Sequence, residues 1–79
     1  MSVVKQIETL LQNEDVQKRI EAVKRFHEVP PDAREKLFKM VAGDFNHEVR
    51  ETAANLIELY PKLYTEFIGD PDPQVRIAI

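Results

Sequence analysis

Apolar residues recur at helical spacing along the whole chain, and short polar turns interrupt them at intervals. Between Val3 and Gln12 they fall at Val3, Val4, Ile7, Leu10 and Leu11, one face of a helix, with Ser2 placed to cap its first turn. Asn13-Glu14-Asp15 breaks the period with residues that favour caps and turns. Val16, Ile20, Val23 and Phe26 then resume it, predicting a second helix to about Glu28. Val29-Pro30-Pro31-Asp32 is the sharpest break, because proline cannot continue a helix from within and disfavours helical geometry at the residue before it. Asp32 is expected to cap a third helix, with Glu35 completing a capping box and Ala33, Leu37, Met40 and Val41 forming the apolar stripe. Gly43 is the expected left-handed stop. Asn46 should cap a fourth helix whose inner face is Val49, Ala53, Leu56 and Tyr60, flanked by Thr52 and Ile57 and ended by Pro61. A short fifth helix, Lys62 to Ile68, is stopped by Gly69, and Asp72-Pro73 opens a sixth.

The turns are copies of one another. Leu37 to Arg50 overlays Leu63 to Arg76 without a gap, pairing Gly43 with Gly69, Asp44 with Asp70, Asn46 with Asp72, Val49 with Val75 and Arg50 with Arg76. The first unit fits through Asn13 with Asp44, Asp15 with Asn46, Arg19 with Arg50 and Ala22 with Ala53. Arg19, Arg50 and Arg76 are thus 31 and 26 positions apart, a period at which each repeat is one supersecondary unit that buries its apolar face only by stacking on the next.

Asn46-His47-Glu48-Val49-Arg50-Glu51-Thr52-Ala53 and Asp72-Pro73-Gln74-Val75-Arg76 follow a Gly/Asp turn. In this the chain resembles the HEAT repeat family, above all its short HEAT-like members. The pattern departs at Lys18, which stands where the later units have valine, and in the last unit, which stops partway through its second helix. The tetratricopeptide alternative would want a 34-residue period and a Trp/Leu-Gly/Tyr signature, and the chain has neither. The resemblance implies an all-α, right-handed α-solenoid, an armadillo-like superhelix of about six helices. Its repeats lie near 2–29, 32–60 and 61–79, the last incomplete. It implies a non-catalytic protein-binding scaffold, with a fragment of a lyase-type or DNA-repair enzyme as the alternative and a structural fragment without autonomous function as a third.

Composition narrows the partner. Charged residues are 32% of the 79 and the net charge is −3, so the strong positive field that phosphate binding favours is missing and nucleic acid is disfavoured. No apolar stretch approaches the roughly 20 residues needed to span a bilayer. The absence of cysteine removes disulfides and thiolate metal sites as staples and fits the cytoplasm, where the chain is expected.

The recurrent Asp/Asn and Arg positions, Asp15, Arg19, Asp44, Asn46, Arg50, Asp70, Asp72 and Arg76, read as structural. The Asx residue caps a helix and the arginine reaches acceptors on an adjoining turn. His27 and His47 are not at the i, i+4 spacing of a helical zinc site, and no nucleophile, phosphate loop or cofactor motif is present; neither metal nor cofactor is expected. On the second helix Glu14, Lys18, Glu21, Arg25 and Glu28 alternate in sign as a solvated face. On the fourth, Glu48, Glu51, Asn55 and Glu58 lie opposite the apolar stripe and carry one sign only, which makes them the candidate contact for a basic protein segment. The ending Val75-Arg76-Ile77-Ala78-Ile79 lacks a polar cap, so Ile77 and Ile79 are the other candidate contact, through a partner or by self-association.

Overall fold

The computed structural model describes residues 2–79. Among them are six α-helices and no strand: α1 (Val3–Leu11), α2 (Val16–Lys24), α3 (Pro31–Ala42), α4 (His47–Ala54), α5 (Tyr64–Ile68) and α6 (Pro73–Ile77). Four of the six start on a side-chain cap that the local sequence dictates. Ser2 accepts from the Lys5 N–H, Asp15 from Gln17, Asn46 from Glu48 and Asp72 from Gln74. These bonds satisfy donors that the first helical turn leaves free.

The start of α3 depends on proline. Pro31 occupies the first position of α3 and Pro30 is its extended cap, with the Ala33 N–H donating to the Pro30 carbonyl at 3.0 Å. Pro31 has no N–H to be satisfied, so the helix begins one residue before the expected Asp32 cap. Asp32 lies inside the first turn, where its charge favours the helix dipole, and the Asp32/Glu35 capping box does not form.

Three expected helix ends are tighter than the periodicity suggested. α2 stops at Lys24 and Phe26–Glu28 forms a 3₁₀ turn; α4 stops at Ala54 and Ile57–Leu59 does the same; Pro61–Leu63 is a third such turn ahead of α5. Val29 and Tyr60 each precede a proline, and neither is helical: Val29 is extended at ψ 136° and Tyr60 lies at φ −153°, ψ 75°, so the chain leaves helical geometry at both. Gly43 and Gly69 are not left-handed. Their φ values are −95° and −91°, and no residue described has positive φ, so both glycines sit in a geometry open to any side chain.

The helices pack as successive hairpins. α1 lies on α2, α3 on α4 and α5 on α6, while α2 also packs against α4 and α4 against α6 in one row. α1 touches α3, and α3 reaches the Pro61–Leu63 turn that leads into α5. The shortest dimension of the molecule is 15 Å. That equals two helix layers, whose axes lie about 8–10 Å apart with Cα atoms about 2.3 Å beyond each axis.

Between the layers lie Ile7, Val23, Phe26, Leu37, Phe38, Val41, Val49, Phe67 and Val75, all but sealed from solvent. An aromatic column crosses the units. Phe26 meets Phe38 edge-on at 5.0 Å, and Tyr60, expected on the inner face of the fourth helix, instead stacks on Phe38 from beyond its end at 6.2 Å.

Candidate functional site

The three turns between paired helices carry the same hydrogen bonds. In each, the Asx side chain accepts from the backbone N–H two residues on: Asn13 from Asp15, Asp44 from Asn46 and Asp70 from Asp72, at 2.8, 2.9 and 2.9 Å. In each, the arginine six residues after that Asx returns Nη1 to its carbonyl: Arg19 to Asn13, Arg50 to Asp44 and Arg76 to Asp70, at 2.8, 2.5 and 2.6 Å.

The same arginines join one turn to the next. Arg19 Nε donates to Asp44 Oδ2 at 2.9 Å, and Arg50 Nε donates to Asp70 Oδ2 at 2.8 Å, each with Nη2 on the second oxygen at 3.4 and 3.3 Å. The Arg50 and Asp70 side chains are 13% and 5% exposed. Such planar, two-pronged pairing fixes distance and angle together, so these residues set the spacing of the turns. They are fully engaged and leave no free nucleophile or acid.

A shallow groove of about 550 Å³ runs across α2, α4 and α6, lined by Gln17, Ile20, Lys24, His47, Glu48, Glu51, Thr52, Asn55 and Gln74. Of the expected acidic ridge it gathers Glu48, Glu51 and Asn55. Glu58 belongs to the 3₁₀ turn beyond α4 and does not line it. The groove is not of one sign, since α2 contributes Lys24 and the apolar Ile20. Neither Glu48, Glu51 nor Lys24 is in an ion pair among the described residues, so their charges face the groove unspent. His47 Nδ1 is 3.9 Å from Asp72 Oδ2, and His27 is exposed in its turn. No cluster of three or more His, Asp or Glu among the described residues is arranged to hold a metal ion.

The other exposed feature is apolar. Tyr64 and Ile68 on α5 and Ile77 on α6 are 44%, 46% and 75% exposed, while Ile79 is half-buried. Phe45, in the turn before α4, is fully exposed beside a depression of about 320 Å³ that includes Leu11, Arg19 and Asp44. Sequence periodicity did not single out Phe45, because it stands between helices and belongs to no stripe. Nor did it find Arg34, which donates to the Val29 and Leu59 carbonyls at 3.2 and 3.4 Å and ties the ends of two hairpins together.

These features define an all-α protein whose distinctive polar residues are used in joining its turns and whose remaining chemistry lies on open surfaces. Compared with protein-family models, with curated proteins and with solved structures, the chain shows no match to any of the three. No described helix is long and apolar enough to cross a membrane.

Proposed function

We propose that the chain is a HEAT-like, right-handed α-solenoid acting in the cytoplasm as a non-catalytic scaffold, and that it binds a basic protein segment in the groove across α2, α4 and α6. The observation that carries this is the groove itself. Three successive second helices contribute to one surface, and the unpaired Glu48 and Glu51 lie within it. The stacking of α2, α4 and α6 and the recurring arginine bridges support the solenoid reading. Specificity on such a surface comes from side chains that do not build the core.

The alternative, a fragment of a lyase-type or DNA-repair enzyme, asks for an aromatic cleft with a buried carboxylate, or for a basic groove. The buried carboxylate here, Asp70, is held by Arg50, and the groove has no aromatic lining.

The test is fluorescence anisotropy with a labelled Lys/Arg-rich amphipathic peptide. Glu48→Lys combined with Glu51→Lys should weaken binding by about tenfold or more, and added salt should weaken the native complex, as expected where charges steer association. An affinity indifferent to both changes would overturn the proposal.

A further inference from the structure

The groove across α2, α4 and α6 has a direction. Arg19 joins the turn ahead of α2 to the turn ahead of α4, and Arg50 joins the latter to the turn ahead of α6, so the three N-termini stand side by side. The helices pack in one row and run the same way.

Groove residues therefore fall into levels. At the 31-residue offset that carries Arg19 onto Arg50, Gln17 stands level with Glu48, Ile20 with Glu51 and Lys24 with Asn55. Glu48 lies in the first turn of α4 and Lys24 is the last residue of α2; both are exposed. His47 is turned to Asp72 at 3.9 Å. The unpaired charges are thus sorted along the groove, with the Glu48 and Glu51 carboxylates toward the turns, the Lys24 ammonium at the far end and Ile20 on the floor between. The interval from Glu48 to Asn55 is about 10 Å of helix.

We infer that the groove takes an amphipathic helix of a partner protein laid antiparallel to α2 and α4, with an acidic residue at position i for Lys24, an apolar residue at i+4 for Ile20 and a basic residue at i+7 for Glu48 and Glu51. The inference rests on the groove being the binding surface. It adds an order of charges and a direction to the basic segment proposed above.

A helical occupant has the same rise per residue as the walls, so its i, i+4 and i+7 positions meet the three levels in turn. Charge puts its basic end at Glu48. The helix dipole decides which end that is, because cations are favoured at a helix C-terminus and acids at its N-terminus. The N-termini of α2 and α4 also carry partial positive charge, and a C-terminus is what they attract. Both preferences select the antiparallel course.

The experiment uses the full chain and a labelled, helix-stapled peptide with Glu, Leu and Arg at i, i+4 and i+7. Lys24→Glu should weaken its binding by about tenfold, and Lys24→Gln by less, while the circular dichroism of both variants stays native because Lys24 is exposed. A peptide with Lys in place of the Glu should bind the native chain more weakly and recover on Lys24→Glu. A paramagnetic label at the peptide N-terminus should broaden the Lys24 and Asn55 amides, and one at its C-terminus those of His47 and Glu48.

Absence of that recovery, or the opposite broadening pattern, overturns the inference. So does concentration-dependent self-association abolished by Lys24→Glu, which would make a second copy the occupant. If a purely basic peptide binds through Glu48 and Glu51 while Lys24→Glu leaves the mixed-charge peptide unaffected, the groove reading stands and this inference alone fails. If neither peptide binds, both fail.

Discussion

Arg50→Ala is the sharpest test of what holds the hairpins together. The substitution removes three hydrogen bonds, at 2.8 and 3.3 Å to the Asp70 carboxylate and 2.5 Å to the Asp44 carbonyl. It leaves Asp70, 5% exposed at its side chain, with only the Asp72 N–H to compensate its charge. Breaking one side of a buried pair typically costs about 3–5 kcal/mol, because the stranded ion keeps its desolvation penalty. The lower figure applies here, since one backbone donor remains and the Arg50 side chain keeps 13% of its exposure. A chain of this length has roughly 4–12 kcal/mol of stability in all. A loss of about 3 kcal/mol should therefore lower the thermal midpoint by about 12–24 °C.

Urea denaturation followed by circular dichroism gives the free energy. A double-mutant cycle with Asp70→Asn separates the pair from the side effects of each change. Coupling of about 2 kcal/mol or more is expected, and little of it should disappear at high salt because the pair is screened poorly when buried. A loss below about 1 kcal/mol, with negligible coupling, would refute the claim that these bridges fix the spacing of the units.

Other substitutions address separate links in the fold. Gly43→Ala should be neutral or stabilising by about 0.4–1 kcal/mol, as its φ is −95° and the nearest atom to a new Cβ is the Met40 carbonyl oxygen at 3.8 Å; a loss beyond about 1 kcal/mol in urea unfolding would contradict this. Phe38→Ala removes the centre of the aromatic column and should cost about 3–5 kcal/mol, enough to abolish a cooperative melt at 37 °C or bring it close to that point. Asn46→Ala should cost about 1 kcal/mol through the lost cap on α4, measured in the same way. Acid titration tests two surface bridges. A hydrogen bond from Arg25 holds the Glu28 carboxyl below its ordinary value of 4.5, and one from Lys39 does the same for Glu35. A carboxyl lowered in the folded state contributes stability above that ordinary value and loses it as pH falls through the lowered one. Glu28→Gln with Glu35→Gln should therefore flatten the fall in stability between about pH 5 and 3, and an unchanged slope would show the bridges to be inert.

The sequence by itself determined the helical class, the order of the helices and the caps at Ser2, Asp15, Asn46 and Asp72. Each of these is settled within a few residues, by periodicity or by a side chain meeting an amide two or three positions away. It also showed that the Asx and arginine positions recur. Local pattern misjudged the helix ends. The same apolar period fits an α-helix and the 3₁₀ turns at Phe26–Glu28 and Ile57–Leu59, and a glycine at a helix end does not by itself require positive φ. Only tertiary structure decided what each arginine meets, since its carboxylate lies 20 or 25 positions away and is brought near by packing. Packing likewise put Lys24 and Ile20 beside Glu48 and Glu51, so a ridge that is acidic along one helix becomes a mixed groove across three. It also gave Arg50, which follows a valine as Arg76 does, the Asp70 carboxylate of the next turn as its partner.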